Sequence, residues 1–418
     1  MKRLSLLLAG IAAFAAMPAA AQTLAITGGR VVIGDGSEPI DGGTVVIRDG
    51  RVVAAGANVA VPPGAQVVDA RGKWVTPGVV AGFSRIGLVE VDAVDATNDT
   101  QANNSPFNAA LDIAPAINPE ATAVAVSRAA GVTRAVVSPS TGRSIFGGQG
   151  AVIDLGGDMH PITRARLFQY VELGEDGAGD AGGSRASAHA MLRNALREAR
   201  ELSRPGGRPD DVLLTRADAT ALVEVLAGRQ LLLVHAERTS DILQVLALRT
   251  EFPTLRIVLV GATEGWRVAR EIASAHVPVI ANALNDLPAS FEQVSATQSN
   301  VGRMRAAGVT VAIGMLNDDE ARQVRLSTQY AGNLVALTHV PGATGLTWSQ
   351  AFQAISSAPA GRRGDVVIWD GDPLELATGV DAVWIDGVRQ SLENRQTRLR
   401  DRYRQPQEGN LPHSYDPR

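Results

Sequence analysis

The segment LLLVHAERTSDI sets His235 at the end of an apolar run, with Glu237 two residues later, and Glu264 ends a comparable run in RIVLVGATEGW. An imidazole within reach of two carboxylates is a natural set for moving protons at a substrate, provided the groups sit close enough to share a hydrogen bond. The same residues read more readily as a solvated or salt-bridged polar rim with Arg85 and Arg238, without any reaction. Phe83, Arg85, Ser138, Ser140, Asn282, Asn285 and Asp318 fall at or just beyond the ends of other apolar runs and complete a candidate pocket. Trp266 and Phe83 are candidate aromatic walls, although aromatic rings near strand ends more often serve packing.

Several other chemistries find no support. The remaining histidines, His160, His189, His276, His339 and His413, show neither H-x-H nor H-x-x-x-H spacing and read as surface or helix residues. With no cysteine there are no disulfides and no thiol chemistry. GGQG at 147–150 lacks the Lys-Ser/Thr of a phosphate-binding loop. Ser138 and Ser140 lack the G-x-S-x-G turn that exposes a nucleophilic serine. The formal net charge of -4 is spread without a basic stripe, which argues against nucleic acid or an anionic membrane as partner.

The elements that must position the candidate residues follow from the patterning. Residues 1–21 carry Lys2 and Arg3, then LSLLLAGIAAFAAM, then small residues around an A-x-A site. This is the arrangement of a secretory signal cut after Ala21, leaving a periplasmic or secreted protein with no membrane segment. Residues 22–74 read as short strands; TVVIRDGRVVAAG holds Asp49-Gly50 between two apolar runs, which predicts a type I′ hairpin. Strands return at 366–369 and 382–385, so a small β-sandwich is expected from both chain ends, 22–74 and 361–392, followed by a tail at 393–418.

Between them, 75–360 alternates helices and apolar strands, the pattern of a parallel α/β barrel. Strands are expected at 133–137, 151–155, 231–235, 256–260, 278–281 and 310–313. Helices are expected at 119–130, 187–203, 216–226, 239–249, 266–274, 290–306 and 349–355. LGEDGAGDAGGS, 173–184, reads as a mobile loop. The fold class is therefore α/β, a distorted TIM (β/α)8-like barrel plus a composite β-sandwich, with any site at the carboxyl ends of the barrel strands.

Three stretches carry a family resemblance. WVTPGVVAGFSR (74–85) resembles the T-P-G-L-I-D-x-H-x-H opening of the amidohydrolase superfamily, of the imidazolonepropionase-like and dihydroorotase-like kind. LLLVHAE resembles its V-x-x-H-A, and GRRGDVVIWDGDP (361–373) resembles its carboxyl-terminal G-x-x-A-D-[LV]-V-V-W-D-G-D-P, with Gly364 where alanine is usual. The resemblance spans nearly the whole mature chain and implies hydrolysis of non-peptide carbon–nitrogen bonds, with zinc as the expected cofactor. Such an ion needs imidazole nitrogen and carboxylate oxygen converging at about 2.0–2.2 Å.

Carried over position by position, the resemblance puts the two strand-one histidines at Phe83 and Arg85, its aspartate at Ala81, the strand-six histidine at Gly261 and the strand-eight aspartate at Leu316. Only His235 keeps its expected type. A charged Arg85 in the mouth would repel a dication 4 Å away by roughly 8 kcal/mol at an effective dielectric near 20. The only lysines are Lys2 and Lys73, so a carboxylated-lysine bridge is ruled out, whereas a glutamate bridge stays open. The reading is thus an amidohydrolase-like protein with no metal ligand set and no cofactor, its usual chemistry lost. The alternative is a periplasmic ligand-binding or scaffolding protein that binds a small molecule or forms a homo- or hetero-oligomer, partnering an active homologue.

Overall fold

The computed structural model describes residues 23–91, 93–203, 212–283, 285–317, 321–360 and 365–404. The signal-like segment and Asp318 lie outside them. No described helix is long and apolar enough to cross a membrane.

Eight strands make a nearly closed barrel: β1 (Val79–Ser84), β2 (Val132–Val137), β3 (Phe146–Asp154), β4 (Ile162–Glu172), β5 (Leu231–Ala236), β6 (Ile257–Gly261), β7 (Val279–Ala281) and β8 (Val311–Ile313). Every residue of β1, β2, β6, β7 and β8 is buried, as expected of strands covered on both faces. Phe83, Val136, Phe168, Tyr170, Leu233, Val258, Val260, Ile280 and Ala312 fill the interior. The two ends of the sheet meet where the Met315 N–H donates to the Phe83 carbonyl at 3.0 Å.

The departure from an all-parallel barrel lies early in the chain. β3 runs antiparallel to both β2 and β4, while β4 through β8 are parallel to one another. The glycine-rich GGQG, expected to precede a strand at 151–155, lies inside β3 instead. The reason is steric: a Cβ on Gly150 would stand 1.9 Å from the Phe168 ring, which needs that space to enter the core. The segment 173–184, expected to be a loop, contains a helix, Glu175–Asp180. It packs so closely on the end of β4 that a Cβ on Gly177 would lie 2.1 Å from the Glu172 carbonyl oxygen.

The helices Arg185–Leu202, Arg216–Leu226 and Thr239–Glu251 occur close to expectation, the first two capped by Ser184 and Thr215 side chains. The helix expected over 290–306 is reduced to a 3-10 turn, Phe291–Gln293, and a helix, Asn300–Ala306. The residues between are held by tertiary bonds: Ser295 accepts from the Trp266 indole N–H at 2.9 Å and donates its own N–H to Glu264 at 3.0 Å.

The second sheet is mixed and takes strands from both chain ends. Leu24–Val31 pairs with Ile40–Arg48, Gln66–Asp69 and Trp74–Pro77, and Trp74–Pro77 in turn pairs with Val366–Trp369, which is followed by Val380–Ile385 and Val388–Arg389. Asp49 and Gly50 both have positive φ, 50° and 72°, as a type I′ hairpin requires. Trp369 fixes the sheet to the barrel: its indole donates to Thr76 Oγ1 at 2.9 Å, and its ring lies where a Cβ on Gly131, just before β2, would fall. A buried ion pair between Arg134 of β2 and Asp365 crosses the same joint. Beside it a cavity of about 710 Å³, at the end of the barrel opposite the strand termini that carry His235, is walled by Val32, Val45, Val80 and Val366.

Candidate functional site

The side-chain alternation of β4 and β5 builds the mouth. Phe168, Tyr170 and Glu172 share one face of β4, and Leu231, Leu233 and His235 share one face of β5. The register sets Glu172 beside His235. The apolar members enter the core and the last residue of each series meets the opening.

His235 is held from both sides. Its Nδ1 lies 2.6 Å from Glu172 Oε1 and its Nε2 lies 3.0 Å from Glu237 Oε1. The side chain is 19% exposed, against 7% and 5% for the two carboxylates. Glu172 also accepts from the Tyr170 hydroxyl at 3.1 Å and the Gly174 N–H at 2.8 Å. Glu237 accepts from the Thr263 N–H at 2.7 Å, and the Asn285 amide donates to Thr263 Oγ1 at 3.0 Å.

Burial works against the imidazolium, but Glu172, by charge and hydrogen bond, and Glu237 outweigh it and hold the His235 pKa well above its ordinary value. Burial would raise Glu237, yet its bond to His235 and the Thr263 N–H leave its pKa lowered. Burial raises Tyr170 well above its usual value, with the Glu172 charge adding to the effect. The arrangement sets a carboxylate at each ring nitrogen, which favours the protonated imidazole.

A second layer closes over it. Glu292 Oε2 accepts from the Glu175 N–H and from Arg185 Nη2, both at 2.8 Å, and Arg185 Nε donates to Asp241 at 2.9 Å. Burial raises the Glu292 pKa, although His235 and Arg185 pull it down.

The other expected site residues are placed as follows. Phe83 is 2% exposed and packs in the barrel with its ring centroid 5.7 Å from that of Tyr170. Arg85 is part-buried; burial draws its pKa down, against the opposing charge of Glu172. Asn282 is buried at the end of β7. Ser138 is fully buried, with its hydroxyl on the Pro139 carbonyl at 3.1 Å. The Glu264 carboxylate is drawn away from His235: Oε2 accepts from Thr239 N–H and Oγ1 at 3.0 and 2.8 Å, and Oε1 accepts from Ser295 N–H. It ties the start of the Thr239–Glu251 helix to the loop that follows β7. Trp266 is likewise structural, with the Arg303 guanidinium 4.5 Å from its ring centroid.

Sequence reasoning overlooked Glu172, Tyr170, Glu292 and Arg185. The one available signal was LFQYVE, an acid closing an alternating apolar series.

Among the described residues, no group of three or more histidine, aspartate or glutamate side chains is arranged to hold a metal ion. Among the described residues the strand ends carry Phe83, Arg85 and Gly261, and His235 has both nitrogens within hydrogen-bond distance of carboxylates. These residues do not fit a zinc ion as they stand.

The barrel with its composite sheet is a fold shared with solved amidohydrolase structures. An amidohydrolase from Thermotoga maritima superposes with a TM-score of 0.76 at 22% identity, covering 88% of this chain and 99% of that one. A molinate hydrolase gives 0.52 at 19% identity over 89% and 95% of the two chains. A prolidase complexed with N-methylphosphonate-L-proline gives 0.50 at 17% identity over 88% and 99%. No protein-family model matches the sequence, and no curated protein matches it.

Proposed function

We propose that this chain uses the amidohydrolase fold without a dication, and that its barrel mouth binds a small polar molecule instead of hydrolysing a carbon–nitrogen bond by metal-activated water. The observation that carries this reading is the double engagement of His235: both ring nitrogens lie within hydrogen-bond distance of buried carboxylates, so neither is open to a metal. The residues at 83, 85 and 261 supply no ligand in its place. The signal-like amino terminus supports export to the periplasm, and association with a second copy or an active relative is part of the same proposal.

Zinc analysis of the purified mature chain tests it directly. The expected content after desalting is well below one ion per chain. A stoichiometric zinc that is lost in His235→Ala would overturn the reading. Binding is tested by thermal shift against small amides, lactams and amino-acid derivatives, since a ligand that prefers the folded state raises the melting temperature.

One observation favours a second reading, metal-free hydrolysis: His235 keeps some exposure to the mouth while flanked by two acids, an acid–base unit a substrate could reach. That reading requires turnover that survives chelator and is abolished in Glu237→Gln.

A further inference from the structure

The helix Arg395–Arg404, RQTRLRDRYR, carries five arginines against one aspartate, in a chain whose formal charge is -4. The overall balance therefore conceals a local positive excess. Its start is fixed to the body. Asn394, 7% exposed, accepts at Oδ1 from the Gln396 and Thr397 N–H groups at 2.9 and 3.1 Å. Arg128 holds the approach, its Nε donating to the Ser391 carbonyl at 3.2 Å. Beyond that point no residue of the helix is buried, and only Thr397 is half-buried. Helices this short usually gain their stability by burying an apolar face. This one buries none.

Thr397 marks the side turned to the body. At 3.6 residues per turn, Arg395, Leu399 and Arg402 stand about 140–160° round from it, on the side turned to solvent. Arg398 and Tyr403 flank them. Leu399 and Tyr403 are 39% and 56% exposed. Neighbouring carboxylates neutralise little: Arg398 lies 3.8 Å from Glu393 and Arg400 2.7 Å from Asp401, and all four side chains are well exposed to solvent.

We propose that Arg395–Arg404 docks the protein on an anionic lipid surface, with its arginines on the headgroup phosphates and Leu399 and Tyr403 at the boundary with the acyl chains. Charge complementarity selects an anionic partner. The two apolar side chains favour lipid over nucleic acid, because a phosphate backbone gives a leucine nothing to enter, whereas a bilayer interface accepts both. The negative excess on the rest of the chain is repelled by the same surface, so the helix also sets the orientation of the docked protein. None of this depends on how His235 is read.

The experiment is co-sedimentation of residues 22–418 with vesicles of phosphatidylglycerol and phosphatidylcholine in equal parts, against phosphatidylcholine alone. Wild type is expected to bind the anionic vesicles only, and to be released as salt is raised. Arg395→Gln, Arg398→Gln and Arg402→Gln together should lower binding about tenfold or more, and Arg400→Gln with Arg404→Gln should lower it less. Leu399→Ser with Tyr403→Ser keeps every charge and should still lower binding about tenfold. Unchanged melting temperatures establish that only the surface has been altered. No binding by wild type, equal binding to both vesicles, or a triple variant that binds like wild type overturns the proposal. Binding to single-stranded DNA as tight as to vesicles, with no effect of the Leu399 and Tyr403 changes, would mark a general polyanion site and overturn the lipid assignment.

Discussion

Arg134 and Asp365 form a two-point ion pair across the joint between barrel and sheet, with Nε to Oδ2 at 2.7 Å and Nη2 to Oδ1 at 3.0 Å. The two side chains are 1% and 5% exposed, and Asp386 adds a third contact to the guanidinium at 2.7 Å. Burial opposes the arginine's charge, but the two aspartates overcome it and raise its pKa. The pair joins residues 231 positions apart in the chain.

Removing Asp365 strips the buried guanidinium of its buried counter-charge and leaves it to Asp386, which is 57% exposed. Asp365→Ala is expected to cost about 3–5 kcal/mol in denaturant unfolding. Replacing both, as Arg134→Met with Asp365→Leu, should recover much of that loss. A cost below about 1 kcal/mol for Asp365→Ala would show that the joint is held by other contacts.

The turn beside this pair is equally exacting. Gly50 has φ 72°, and a Cβ there would fall 2.5 Å from the Asp386 carbonyl oxygen. The Asp49–Gly50 and Asp386–Gly387 hairpins, one from each end of the chain, thus meet backbone to backbone. Gly50→Ala should destabilise by about 1–3 kcal/mol. Gly64→Ala, where φ is also positive but the space is open, serves as the strain-only comparison.

The pH dependence follows from the directions of the shifts. His235 has a raised folded-state value, so its contribution is complete below the unfolded value of about 6.5 and is lost as pH rises through the folded one. Glu237 has a lowered folded-state value, so its contribution is present above the unfolded value of about 4.3 and is lost as pH falls through the folded one. Together they predict greatest stabilisation by this unit between those two unfolded values. Imidazole proton NMR on wild type and Glu172→Gln provides the check: the His235 midpoint should drop in the variant, and an unshifted midpoint would remove Glu172 as its cause.

Glu264 separates an anchoring role from an acid–base one. Glu264→Ala strips the acceptor from three donors, at Thr239 and Ser295, and should cost about 1–3 kcal/mol. The His235 midpoint should stay where it is. Loss of ligand binding or of turnover without loss of stability would return Glu264 to the site.

Most strands and most helices were legible in the sequence because apolar runs and their spacing report burial directly, as at 231–235 and 366–369, but β4, Ile162–Glu172, was not expected. The motif VHAE led to His235 and Glu237, and the substitutions at 83, 85 and 261 were visible one by one. What could not be read was where a side chain turns after its strand ends. Glu264 and Glu172 look alike in one dimension, yet the first bends back onto a helix start and the second stands against the imidazole. β3 was misplaced for a related reason: glycines inside a strand carry the signal of a turn, and only the Phe168 ring explains them.

The order of the composite sheet has a consequence for how the chain is made. Trp74–Pro77 is flanked on one side by Leu24–Val31 and on the other by Val366–Trp369. Until residue 369 has left the ribosome, the earlier strand has an open edge and the barrel lacks the partner of Arg134. The two flanking strands therefore act as a clasp that cannot shut until residue 369 has been made.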